Sequence, residues 1–77
     1  MDKSPFIKVR SILRKPGNPV VDCFMRVDSI VAIARADDEM IKVGAASSID
    51  NNVGTIYVVD NLEEIMASIA AAEKAAV

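Results

Sequence analysis

Apolar and polar residues alternate along the first third of the chain, which is the pattern of strands with one buried face. Segment 6–13 reads FIKVRSIL, and segment 20–27 reads VVDCFMRV. Because side chains alternate across a strand with a period of two, Ile7 and Val9 share one apolar side. Residues 14–19, RKPGNP, are dense in turn formers, so we expect the two strands to form a hairpin.

Three further strands are predicted after a corner at residues 27–30. Segment 31–36 is a third strand weakened by its alanines, and segment 40–43 is a short fourth strand. The acidic run 37–39 between them is interpreted as a solvated hairpin tip, because a calcium loop needs alternating ligands and a distal glutamate. Segment 55–59 is β-branched or aromatic and forms the fifth strand.

The stretch between the fourth and fifth strands, residues 44–54, reads GAASSIDNNVG. Its small and polar residues predict a flexible loop. A loop of that length in so small a domain is often functional or poorly ordered.

Apolar residues at helical spacing predict an amphipathic helix over residues 61–75. Its apolar stripe is formed by Leu62, Ile65, Met66, Ile69 and Ala70. Asp60 is the expected N-cap, with Glu63 three residues on as the second half of a capping box. We expect Met66 to fill a gap in the core.

These elements define one α+β domain over residues 1–77. The predicted fold is an antiparallel β-meander of four to five strands with one C-terminal amphipathic helix packed on the sheet. Residues 1–5 are a polar lead-in, because Pro5 discourages a helix before it.

Composition predicts self-association. The chain has 77 residues, of which 52% are hydrophobic, and a mean hydropathy of +0.30. A chain of this size buries only about 60% of the surface that its unfolded form exposes. With one cysteine there is no disulfide framework to add stability. The surplus apolar surface is therefore expected to lie in the interface of a homo-oligomer.

Charge and hydropathy limit the partners and the compartment. The net charge is −2, which argues against a dedicated nucleic-acid binder. No run approaches the ~20 apolar residues needed to span a bilayer. The first residues lack the apolar core of a signal peptide, and the lone cysteine fits a reducing compartment. We expect a cytoplasmic protein that does not enter the membrane.

The residue types needed for most catalytic sites are missing. The sequence contains no histidine, and its three glycines are isolated. The absence of histidine excludes catalytic sites that pair a nucleophile with histidine, and the commonest metal sites. The isolated glycines exclude a glycine-rich phosphate-binding loop. We therefore expect no catalytic residues, no metal and no cofactor. Cys23 lies on the apolar side of its strand and is interpreted as a small buried hydrophobe without a group that would activate it.

A binding function remains, and there are two hypotheses for it. The first is a homo-oligomeric interaction module that docks on itself and on a protein partner. The second is a ligand-sequestering oligomer, similar to phage sponge proteins, that holds a small anionic metabolite or nucleotide between subunits. Guanidinium and ammonium groups suit such an anion, and hydroxyl or amide groups would add hydrogen bonds. The candidates are Lys8, Arg10, Arg26, Ser47, Ser48, Asn51 and Asn52. Alternatively, these are surface residues that favour solubility and turns.

The sequence from residue 27 onward also resembles a known family. VDSIVAI, an acidic turn and GTIYVVDNLEEIMASI are similar to the FlbD-like small proteins of flagellar operons and to related short phage and bacterial proteins. The matching positions are Asp28, Ile30, Ile33, Gly54, Val58, Val59, Glu63, Glu64 and Ile65. The resemblance implies a small sheet followed by a helix. It implies no catalytic residues and does not imply a flagellar role.

Overall fold

A computed structural model describes residues 5–75. It contains five strands, a 3₁₀ turn and two helices. In chain order they are β1 (Phe6–Ile12), β2 (Val20–Arg26), the 3₁₀ turn (Val27–Ser29), β3 (Ile30–Arg35), α1 (Asp38–Ile41), β4 (Ser47–Asn51), β5 (Thr55–Val58) and α2 (Leu62–Ala75). The predicted α+β class is confirmed, since one C-terminal helix packs on a five-stranded antiparallel sheet. Residues 1–4 of the predicted lead-in lie outside the described part.

The strand order in the sheet is β2-β1-β5-β4-β3. The sheet thus combines a β1–β2 hairpin with a β3–β4–β5 meander. Strand β1 joins them by pairing with β5, where Ser11 lies opposite Val58. The chain-order neighbours β2 and β3 therefore form the two outer edges of the sheet.

The link between those two edges forces the sheet to curl. Only the 3₁₀ turn Val27–Ser29 separates β2 from β3. In a flat sheet the outer strands of five would lie about 19 Å apart, whereas the four Cα steps across the turn reach about 15 Å at most. The Val27 N–H also donates to the Pro5 carbonyl at 2.9 Å, which holds the corner against the start of β1.

The core lies between the sheet and α2. Its most completely buried large side chains are Ile49, Val58, Val9 and Ile65, each at most 1% exposed. They come from β4, β5, β1 and α2, so each of these elements contributes one fully buried aliphatic side chain. Ile7 and Met25 complete the cluster.

The helix begins with a capping box one residue later than the sequence predicts. Asn61 Oδ1 accepts from the Glu64 N–H at 2.8 Å, and Glu64 Oε1 accepts from the Asn61 N–H at 3.0 Å. The predicted pair, Asp60 and Glu63, is therefore wrong. Asp60 is unavailable as the cap because its Oδ1 accepts from the Arg10 N–H of β1 at 2.7 Å.

The buried stripe of α2 is narrower than predicted. Ile65 is buried and Leu62, Ile69 and Ala72 are partly buried, whereas Met66 is 58% exposed. The expectation that Met66 fills the core is wrong. The helix packs on β1 and β3 along a narrow line, so the neighbouring row that contains Met66 and Ala70 faces away from the sheet.

Residues 37–43 form a helical turn where a hairpin tip and a strand are predicted. Asp37 Oδ1 accepts from the Met40 N–H at 3.0 Å and caps the one-turn helix α1. A segment of four residues, three of them apolar, is compatible with a strand or a helix, and here the N-cap favours the helix. The predicted fourth strand at residues 40–43 is wrong.

The fourth strand lies instead inside segment 44–54, where a loop is predicted. Strand β4 pairs with β3 on one side and with β5 on the other. The sequence pattern does not predict β4 because a polar residue, Ser47, occupies a fully buried position beside Ile49. The remaining residues of the segment make the turns on either side.

Candidate functional site

An open groove of about 380 Å³ lies between β2 and the turn that joins β4 to β5. One wall is formed by residues 23–26 of β2 and by Phe6, and the other by residues 51–53 and Ile56. Ser29 of the 3₁₀ turn also lines it. The groove exists because the curled sheet brings its first edge close to the β4–β5 turn.

The outward face of the β1–β2 hairpin carries aromatic and basic side chains. Residues directly opposite each other in an antiparallel pair share a face, and here Phe6 lies opposite Arg26 and Lys8 opposite Phe24. Phe6 is 59% exposed and Phe24 is 67% exposed. Both phenylalanines thus reach solvent at the rim of the groove.

The free edge of β2 can be identified from its hydrogen bonds. Leu13 N–H donates to the Pro19 carbonyl, and Val27 N–H donates to the Pro5 carbonyl. Odd-numbered residues of β2 therefore point their backbone groups at β1. The even-numbered residues point theirs away from β1; they are Val20, Asp22, Phe24 and Arg26. Within residues 5–75 no strand pairs with this edge.

The opposite wall of the groove is a tight turn built by Asn51. Its Oδ1 accepts from the Val53 N–H at 2.8 Å and from the Gly54 N–H at 3.1 Å. Its own N–H donates to the Gly54 carbonyl at 2.8 Å. These bonds hold the side chain of Val53 outward, where it is 97% exposed.

The groove brings together three of the seven predicted binding residues, namely Arg26, Asn51 and Asn52. The Arg26 guanidinium lies 3.1 Å from the Asp28 carboxylate, so its charge is partly compensated. The Asn51 side-chain oxygen is used in the turn. The polar groups that remain available in the groove are consequently few, and its lining is mainly apolar.

The other four predicted binding residues lie elsewhere. Lys8 and Arg10 are on the outward face of β1, and Arg10 Nε lies 3.7 Å from the Asp60 carboxylate. Ser47 is buried in β4, and its Oγ has no hydrogen-bond partner among residues 5–75. Ser48 lies opposite Tyr57 in the sheet. Within one subunit Arg10 and Arg26 are paired with different carboxylates. Their predicted role in binding an anion between subunits stays a prediction.

Cys23 is partly buried and lines the groove instead of lying fully in the core. The side chains that sequence reasoning missed are Phe6, Phe24, Val53 and Ile56. A usable signal was present for Phe24, since it occupies the polar side of an alternating strand between Asp22 and Arg26. An aromatic residue at such a position indicates a solvent-facing apolar contact.

A second charged contact connects the opposite edge of the sheet with the helix. Arg35 at the end of β3 donates to Glu63 of α2 at 2.7 Å. The hydrogen bond from Arg35, then a backbone hydrogen bond at Glu63 itself, and to a smaller extent the charge of Arg35 lower the pKa of the Glu63 carboxyl. The contact with Glu63 raises the pKa of Arg35. Both side chains are about two-thirds exposed, so the bond is a surface contact.

Residues 5–75 contain no cluster of three potential metal ligands among their His, Cys, Asp and Glu side chains. None of the helices in the described part is both long and apolar enough to cross a membrane. No protein-family model, no curated protein and no solved structure matches the chain. The FlbD-like resemblance stays a prediction.

Proposed function

We propose that the chain is a non-enzymatic interaction module that assembles with copies of itself along the free edge of β2. The observation that supports this proposal is the composition of that edge. Five of the seven residues of β2 are apolar, yet Met25 alone among them is buried. Exposed apolar edge strands are templates for pairing with another strand, and monomeric proteins protect them with charge, proline or covering segments.

The energetic argument rests on Phe24. Full burial of a phenylalanine side chain is worth roughly 1.5–3 kcal/mol, and Phe24 leaves two-thirds of that surface in water in the single subunit. Val20, which is 51% exposed, lies on the same face as Phe24 and adds to this strip, whereas Val21, which is 40% exposed, points to the other face. Covering this strip in an oligomer also satisfies the backbone groups of the even-numbered residues.

The groove supports a second candidate, the sequestration of a small ligand. Arg26, Asn51 and Asn52 offer a charge and amide groups beside the apolar side chains of Phe6, Phe24 and Ile56. An anion with an apolar or aromatic part fits that combination, because polar groups fix its orientation while apolar surface excludes water. The candidate is weaker than self-association because Asp28 already compensates the Arg26 charge.

Native mass spectrometry with sedimentation velocity distinguishes these functions. We expect a defined oligomer without added mass, and we expect Phe24→Thr to shift it toward the monomer. Val31→Thr is the matched control, since Val31 is 69% exposed but lies on β3, the other edge strand. Extra mass that is lost on denaturation would favour the ligand candidate. A monomer at every concentration would contradict the proposal of self-association.

A further inference from the structure

We infer that two copies pair β2 against β2 in antiparallel orientation, with the two-fold axis passing through Phe24 and with Asp22 of each copy opposite Arg26 of the second copy. This inference rests on the proposed function and specifies its partner and its register. The two five-stranded sheets would then form one continuous sheet. The argument uses the backbone directions, the order of charges along β2 and the bounds of the strand.

The backbone directions restrict the possible registers. Only the even-numbered residues of β2 point their N–H and C=O groups at the free edge. The hydrogen bonds Leu13–Pro19 and Val27–Pro5 show that the odd-numbered residues direct theirs at β1. In an antiparallel ladder the residues that exchange hydrogen bonds lie directly opposite each other. An even-numbered residue must therefore face an even-numbered residue, which excludes every second register.

The charges select among those that remain. With Phe24 opposite itself, Asp22 faces Arg26 twice, and opposite charges directly across a sheet are stabilising. If the partner strand slides by two residues so that the two-fold axis passes through Cys23, Asp22 faces Phe24 instead of Arg26. If it slides by two more residues in the same direction, Asp22 lies opposite its own copy. A step in the other direction puts Asp22 opposite Asp28, another carboxylate, and like charges at this position are destabilising.

The bounds of β2 agree with this choice. The ladder from Asp22 to Arg26 lies wholly inside the strand Val20–Arg26, before the 3₁₀ turn begins. The Arg26 carbonyl begins the 3₁₀ turn and accepts from Ser29 Oγ at 2.7 Å, so the ladder uses the Arg26 N–H at this end. Phe24, the most exposed of the large apolar residues of β2, would pack against its own copy at the centre.

Charge reversal with rescue is the primary test. Asp22→Arg and Arg26→Asp each replace two attractive pairs by two repulsive ones, so we expect each to raise the dimer dissociation constant roughly tenfold or more. The double variant restores the opposite charges and is expected to return close to wild type. Lys15→Asp, in the hairpin turn outside the ladder, has the same charge change as Arg26→Asp and should leave association unchanged. Circular dichroism confirms that each variant is folded.

Cross-linking provides an independent measurement of the register. In the proposed register Phe24→Cys in a Cys23→Ser background places two thiols opposite each other, with Cα atoms about 5.5 Å apart and within disulfide reach. Because this variant also loses the aromatic contact, the reaction is run at a protein concentration at which sedimentation shows that the variant is still a dimer. Oxidised glutathione takes up the two electrons and releases two reduced molecules as the disulfide forms. The native Cys23 pair would lie diagonally, with Cβ atoms roughly 7–8 Å apart, and should stay reduced.

The outcomes separate the two proposals. A wild-type dimer whose charge variants are not rescued, and whose native Cys23 cross-links readily, would overturn this register and leave self-association standing. A dimer that cross-links instead through Val31→Cys in the Cys23→Ser background would place the interface on β3. A wild-type chain that is monomeric throughout would overturn the proposed function itself.

Discussion

Strands β1 and β2 have the same length and pair with each other residue by residue, but they differ in what their apolar side chains contact. Each is seven residues long. Of the four apolar residues in β1, three are buried, whereas in β2 one of five is. The difference comes from position, since β1 lies inside the sheet with a neighbour on each side and β2 lies at its edge.

The same difference appears in the backbone. On its second side β1 is covered: the Arg10 carbonyl accepts from the Val59 N–H at 2.9 Å, and the Arg10 N–H donates to Asp60. The second side of β2 has no paired strand within residues 5–75. The apolar residues of β1 are thus explained by folding. Those of β2 contribute less to the fold than their number suggests, and association explains them better.

A matched pair of valine substitutions tests this division, and we expect the largest effect from it. Val9→Ala in β1 removes two methyl groups from a side chain that is 1% exposed. It should lower the free energy of unfolding by about 2–3 kcal/mol, which corresponds to a fall in Tm of roughly 10–20 °C in a domain this small. Thermal melts in dilute solution, followed by circular dichroism, measure it.

Val21→Ala in β2 is the control for that measurement. Its side chain is 40% exposed, so the expected change in dilute solution is within about 0.5 kcal/mol. At high protein concentration the substitution should matter more, because the partner strand then covers the edge of β2. Equal losses from both substitutions at low concentration would mean that β2 is as much a part of the core as β1.

The two carboxylates on either side of Arg10, those of Asp60 and Asp22, provide a second comparison with a smaller expected effect on stability. Asp60 accepts from the Arg10 N–H at 2.7 Å and has a side chain that is 17% exposed. Asp60→Ala leaves that N–H without its acceptor, and we expect a loss of about 1–2 kcal/mol. Urea unfolding at neutral pH measures the change.

Two variants serve as controls for Asp60→Ala. Asp60→Asn keeps a side-chain oxygen acceptor and should retain most of the stability. Asp22→Ala removes the carboxylate that lies opposite Arg10 on β2 and should cost less than about 0.5 kcal/mol when the protein is dilute. If Asp22→Ala were the more damaging of the two alanine variants, the view that β1 is anchored through Asp60 would be wrong.

Local signals in the sequence were sufficient for the elements that depend on near neighbours. The helix predicted at residues 61–75 is observed at Leu62–Ala75, and the hairpin strands β1 and β2 have their predicted starts. The cap was misplaced by one residue because Asp60 is drawn to Arg10, fifty positions away along the chain. A contact between residues so far apart in the chain cannot be predicted from a local sequence pattern.

The remaining errors have the same origin in non-local pairing. Ser47 is buried because β4 lies between β3 and β5. No alternation of apolar and polar residues around it predicts a buried strand there. The groove exists because the pairing of Ser11 with Val58 joins a hairpin to a meander, and the short link between the outer strands β2 and β3 then curls the sheet. The sequence therefore indicated Arg26, Asn51 and Asn52 as candidates but gave no reason to place them together.

The two edge strands also differ in how the helix holds them, and this gives the smallest predicted effect. Strand β3 is connected to α2 by the Arg35–Glu63 contact at 2.7 Å, and its partners are both exposed. Because the contact lowers the pKa of Glu63 in the folded protein, its contribution to stability is present above the ordinary value of 4.5 and is lost as the pH falls through the lowered pKa. Arg35 stays charged throughout this range.

We therefore expect Glu63→Gln to lower Tm slightly at pH 7 and not at all once the pH is below the lowered pKa of Glu63. High salt should reduce the difference at neutral pH, since exposed pairs are screened. Glu39→Gln is the matched control, because Glu39 of the one-turn helix α1 pairs with Lys42, the residue that ends this helix, and connects no separate elements. A difference between wild type and Glu63→Gln that persisted unchanged in acid would show that the effect of the glutamate does not depend on its charge, and therefore not on its contact with Arg35 of β3.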